Sequence, residues 1–122
     1  MNIAAPVKTR SQQLAERAFD RVQRREELKG KYREEYVGFA KRFPSLTHTC
    51  GLAQAVAFAQ AKAPEDYLDD LREVMNSDQA SATGFASLTR SAELTEYMQL
   101  SRAALEAAGW LKRYAEALLE DC

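Results

Sequence analysis

Tyr97, Ala104, Ala108, Leu111, Ala115 and Leu118 follow one another at steps of three, four or seven residues. That is one apolar stripe about six helical turns long. Leu94, Met98 and Leu105 widen it. A helix from about Ala92 to Leu119 with one apolar side cannot bury that side alone, so other helices must lie against it. No segment alternates apolar and polar residues with period two, and no strand is expected. With 122 residues, 46 % of them apolar, and only 5 Gly and 3 Pro, the chain has material for one core and a helical composition. The expected fold is all-α: a compact single-domain bundle of about five to seven helices with a long C-terminal helix.

The other elements follow from the same period. Ser11 is placed to cap a helix running to about Leu28, with Leu14, Ala18 and Val22 inward and Ala15 and Phe19 beside them. Gly30 permits a break. Lys31 to Phe43 carries Tyr32, Tyr36, Phe39 and Phe43 on one face, each contributing roughly 1.5–3 kcal/mol if fully buried. Pro44 is expected to end that helix, leaving "PSLTHTCG" as a connector with Thr47 and Thr49 as candidate caps. From Leu52 to Ala63 only Gln54, Gln60 and Lys62 are polar. This stretch reads as a short buried Ala-rich central helix, covered by the second helix and by the Tyr97–Leu111 face of the last. After Pro64, a further helix places Tyr67, Leu71 and Val74 inside. Residues 1–10 are expected as a flexible N-terminal tail and 11–122 as the bundle, with 76–91 a polar linker inside it, although "FASLTR" also suits a turn or short helix.

Chemistry-bearing groups are sparse. His48 and Cys50 lie two residues apart with no third orienting group, which is poor material for a nucleophile and base. His48, Cys50 and Cys122 have no recognisable zinc spacing. Asp66, Asp70 and Glu73 share a helix face that could hold a divalent ion, but such a set is more often the solvated side of an amphipathic helix. There is no Gly-rich phosphate loop. The expectation is a protein that is not an enzyme, with no cofactor and no metal. No stretch approaches the roughly 18 apolar residues of a membrane span, and the start has no apolar signal core. Two distant cysteines suit a reducing, cytoplasmic setting.

Charge is more informative. Residues 1–43 hold 11 Lys/Arg against 6 Asp/Glu, a net of +5, whereas residues 44–122 hold 6 against 12, a net of −6. Arg17, Arg21 and Arg24, with Arg10 if the helix reaches it, fall within about 60° on the first helix. Lys41–Arg42 and Lys112–Arg113 add two basic dipeptides. Such a stripe can neutralise a phosphate backbone without reading bases. Alternatively these residues form intrahelical pairs such as Arg17–Asp20, Asp20–Arg24, Arg102–Glu106 and Lys112–Glu116, each worth about 0.3–0.5 kcal/mol.

Two segments add a resemblance. "FPSLTHTCGLAQAVAFAQAK" and "SRAALEAAGWLKRYAEALLE" together resemble the small helical subunit of type III-B CRISPR effector complexes, the Cmr small subunit. The first matches a proline-containing connector, Gly-Leu-x-Gln-Ala and an apolar run ending in Lys. The second matches that family's closing helix. An Arg-rich first helix, an aromatic second and an acidic fourth stand in the same order. Cys50 before Gly51, where a polar residue is expected, and Gly109 before Trp110 are departures. Gly109 weakens its helix by about 1 kcal/mol relative to Ala.

The resemblance implies a non-catalytic subunit in antiviral defence. Its copies would stack in a minor filament with the large subunit, facing RAMP-type backbone subunits along a crRNA–target RNA duplex. RNA-binding residues are then expected at Arg17, Arg21, Arg24, Lys41, Arg42, Lys112 and Arg113, with Arg21 and Arg24 resting on helix geometry. The alternative is a helical adaptor that binds only protein; a metal-dependent hydrolase on Asp66, Asp70 and Glu73 is a distant third.

Overall fold

The computed structural model describes residues 7–79 and 81–120. Of the expected N-terminal tail, residues 1–6 lie outside the described residues. The first helix begins one residue before the expected start of the bundle, because Thr9 rather than Ser11 caps it. Its side chain accepts from the Gln12 N–H while the Gln12 side chain accepts from the Thr9 N–H, a capping box. Helix α1 (Arg10–Arg24) buries Leu14, Ala18 and Val22 as expected and closes in a 3-10 turn, Arg25–Glu27.

Helix α2 (Gly30–Cys50) corrects the sequence reading, because Pro44 does not end it. The proline has no N–H, so the Ala40 carbonyl one turn back loses its helical partner. The helix continues because residues on both sides of the proline face the core: Tyr36, Val37, Phe39, Ala40 and Phe43 before it, Thr47 after it. Burial outweighs the local preference. Tyr32, the first of the expected aromatic face, stays 40 % exposed. What ends α2 is Gly51, whose φ of 86° and ψ of 159° suit glycine. Thr47 and Thr49, expected as caps, lie inside α2. The start of α3 (Leu52–Lys62) is capped from elsewhere: the Ala53 N–H donates to the Tyr97 hydroxyl at 3.0 Å.

Helix α3 is not the buried centre. Leu52, Ala55, Val56 and Ala59 face inward, whereas Gln54, Ala57, Gln60 and Ala61 are exposed and Phe58 is 43 % exposed. Alanine carries so little apolar area that leaving it in water costs little, and an apolar count therefore overstates burial. The helix packs on α2, on α4 (Glu65–Val74) and on α5 (Ala82–Ser91), and less on α6 (Leu94–Tyr114). The central element is α6, whose Ala104, Ala107, Ala108 and Leu111 have no exposed surface. It lies against α1, α2 and α4 and ends in a π-helical turn, Ala115–Leu119. Contacts of Arg10 with Glu106 and of Phe19 with Tyr114 show α1 running alongside it in the same direction. Contacts of Ala53 with Tyr97 and of Arg33 with Leu119 show α2 running the opposite way.

Residues 82–91, expected within a polar linker, form α5. Ser81 caps it by accepting the Gly84 N–H, and Phe85, Ala86 and Thr89 are buried. The all-α expectation, six α-helices among the described residues and the long closing helix agree with the sequence.

Candidate nucleic-acid interface

The two middle arginines of α1 are turned inward. Arg17 Nε donates to the Val74 carbonyl at 2.9 Å. Arg21 Nε donates to Asp70 Oδ1 at 2.8 Å and its Nη2 to Asp69 Oδ2 at 3.2 Å. Arg10 and Arg24 face solvent, Arg10 paired with Glu106 on α6 and Arg24 with Asp20, the i, i+4 alternative expected. The middle of the stripe that looked like a phosphate-binding row belongs to the seam between α1 and α4.

Asp70 is the reason. It sits on the shoulder of the Tyr67–Leu71–Val74 stripe and is wholly buried. Its two oxygens accept from Arg21, from Arg25 Nε and Nη2 at 2.9 and 2.7 Å, and from the Tyr36 hydroxyl at 2.5 Å. A buried carboxylate needs this degree of pairing. Burial, and then the Asp70 charge, push the Tyr36 phenol well above its ordinary range, so it stays a donor. The hydrogen bond to Asp70 holds Arg25 more firmly protonated than usual. Beside it, partial burial works against ionised Asp69, but the Arg72 hydrogen bond and the charges of Arg72, Arg21 and Arg25 outweigh it, leaving that carboxyl below its usual range.

The expected solvated acidic face is therefore an ion-pair network. Asp66 faces Arg25, Glu73 faces Arg72, and Asp70 is occupied by two guanidinium groups. Arg25 and Arg72 carried no weight in the sequence; the signal available was a carboxylate inside an apolar stripe. His48 and Cys50 are both exposed near the end of α2, two residues apart and so on opposite sides of the helix. Cys122 lies outside the described residues.

The remaining basic residues fall in two places. On α2, Lys41 pairs with Glu120, while Arg42 lies over the Phe39 ring at 5.8 Å and is exposed. With Lys31 and Lys62 they line a groove of about 510 Å³ between α2 and α3, which also carries Glu34 and Glu35. On α6, the Arg113 guanidinium lies 5.4 Å over Trp110, which stacks on Tyr114. Lys112 is partly exposed beside it. Among the described residues, Lys31, Arg42, Lys112 and Arg113 enter none of the ion pairs found. No helix among the described residues is long and apolar enough to cross a membrane.

Comparison with known proteins gives a consistent picture. The family model for CRISPR-associated protein (Cas_Cmr5) matches residues 10–118. The chain is 37 % identical over 121 residues to the CRISPR system Cmr subunit Cmr5 of Thermus thermophilus, covering 94 % of this chain and 100 % of that one. A crystal structure of a CRISPR-associated Cmr5 family protein from the same species has a TM-score of 0.83 and 35 % identity, covering 93 % of this chain and 100 % of the other.

Proposed function

The chain belongs to the CRISPR-associated Cas_Cmr5 family, and from that premise we propose that it is the small, non-catalytic subunit of a type III-B Cmr effector complex in the cytoplasm. Its copies stack beside the large subunit and the RAMP-type backbone, and basic side chains hold the crRNA–target RNA duplex through phosphates. The observation that carries the RNA contact is the exposure of Lys31, Arg42 and Arg113, and the partial exposure of Lys112, without ion-pair partners among the described residues. Lys41 and Arg24 sit at the margin of this set because Glu120 and Asp20 compete for them. Arg17 and Arg21 support the fold rather than the contact.

The test is RNA binding by the assembled complex over a salt series. Replacing Arg42, Lys112 and Arg113 with Ala should weaken binding to all sequences alike. The salt slope should flatten by roughly 0.7–0.9 for each phosphate that is no longer neutralised. An unchanged slope assigns the contact to other residues. The adaptor reading is favoured by one feature, the uncharged outer side of α3. Cross-linking that labels only neighbouring subunits would support it over the RNA contact.

A further inference from the structure

"KYREEYVGFAKR" (31–42) and "RAALEAAGWLKR" (102–113) are one pattern written twice: a cation, Glu four residues on, then Gly, an aromatic, an apolar residue, Lys and Arg. The first lies on α2 and the second on α6. On a helix the leading cation, the glycine and the final Lys and Arg fall within about 100° of one another. In both segments the arginine lies over the aromatic ring that follows the glycine, Arg42 over Phe39 and Arg113 over Trp110. The two helices are antiparallel neighbours, and the contacts of Ala53 with Tyr97 and of Arg33 with Leu119 set their register. In that register the glycine of each segment stands level with the arginine of the other.

Glycine inside a helix is destabilising, so its use at both places calls for a reason. Gly38 and Gly109 have ordinary helical φ. Packing within the described residues does not require them either. Apart from adjoining residues and the helix backbone, a Cβ at Gly38 would have nothing within 4 Å, and one at Gly109 only Arg113 Nη1 at 3.8 Å. Gly38 is bare floor shared by two grooves of about 380 and 510 Å³. Around these gaps Lys31, Arg42, Arg102, Lys112 and Arg113 enter none of the ion pairs found among the described residues, and only Lys41 is paired, with Glu120. We infer that Gly38 and Gly109 are themselves contact residues: at each, an RNA phosphodiester backbone lies close against the helix, between the leading cation and the Lys–Arg pair. The subunit then carries two like strand sites. This deepens the RNA part of the proposed function and rests on it. A helix of another subunit fits less well, because covering the cations around both gaps would need carboxylates matched to each, whereas a phosphate backbone brings that charge with it.

Gly38→Leu and Gly109→Leu test this through two readouts of opposite sign. Leucine is a far better helix former than glycine, so each variant subunit should melt about 2–4 °C above the parent. Its side chain fills the gap, so target-RNA binding by the assembled complex should weaken about tenfold for each, the scale of one charge-assisted contact. A glycine kept only for packing would not give a more stable protein that binds worse. A lowered Tm means that the gap is needed inside the subunit and overturns the inference. Variants that no longer co-purify with the other subunits place the gaps against protein and overturn it too. The triple change of Arg42, Lys112 and Arg113 to Ala separates the two levels. If it flattens the salt slope while the leucine variants bind like the parent, the glycines are not contacts and the RNA reading stands. If neither set changes binding, both readings fail.

Discussion

Asp70→Asn is the change that probes the fold most directly. Asp70 is wholly buried, and its oxygens accept four hydrogen bonds from Arg21, Arg25 and Tyr36. Asparagine has nearly the same shape but one acceptor oxygen, and its amide hydrogens would point at other donors. Removing one partner of a buried ion pair costs about 3–5 kcal/mol, because the other charge is left uncompensated. The side chains of Arg21 and Arg25 keep 14 % and 15 % exposure, so they can partly rehydrate, which favours the lower end, about 3 kcal/mol. For a chain of this length the unfolding entropy converts 1 kcal/mol to roughly 4 °C, giving a drop of about 12 °C in Tm. Thermal melts followed by circular dichroism would measure it. The control is Asp20→Asn, whose exposed pair with Arg24 should cost under about 0.5 kcal/mol. Replacing Arg21, Arg25 and Asp70 together with Met, Met and Leu should recover much of the loss, since apolar packing can stand in for a buried ionic cluster. If Asp70→Asn melts within about 3 °C of the parent, the network is not holding α1 to α4.

Gly51→Ala should cost about 1–3 kcal/mol in denaturant titrations, because φ of 86° is strained for alanine and its Cβ would lie 3.4 Å from the Tyr97 hydroxyl; a change within a few tenths would refute that. Val56→Asp should abolish a cooperative melt by burying an unpaired charge at a site 1 % exposed, whereas Phe58→Asp should cost the isolated protein about 1 kcal/mol or less. Equal losses at the two positions would mean that α3 has no outer side. Alkaline stability should fall above about pH 10. Burial, followed by the Asp70 charge, raises the Tyr36 and Tyr67 phenols, so the unfolded chain releases their protons first and folding loses about 1.4 kcal/mol per pH unit per tyrosine. Tyr67→Phe should lessen that slope and leave neutral-pH stability unchanged or higher, since the Tyr67 hydroxyl has no hydrogen-bond partner among the described residues.

The period of the sequence located the helices because it reports one helix at a time. Leu14, Ala18 and Val22, or Tyr67, Leu71 and Val74, are legible as inward faces without knowing what they meet. The errors arise where a second element decides. Pro44 disfavours a helix locally, yet Phe43 and Thr47 both find the core, so α2 continues. Phe58 sits in an apolar run, yet only one side of that run has neighbours. The arginines of α1 form a stripe of like charge on the helix, and nothing in that stripe reveals that Asp69 and Asp70 stand opposite it on α4. A charged stripe bordering an apolar one points to the edge of a helix contact as readily as to a ligand. What separates the cases is whether the adjoining helix brings the opposite charge to the seam. Here α4 does so for Arg21, while no carboxylate among the described residues forms an ion pair with Arg42 or Arg113. The guanidinium groups of these two lie over Phe39 and Trp110. An aromatic face holds an arginine in place without neutralising it, which leaves the cation ordered and available to an anion from outside.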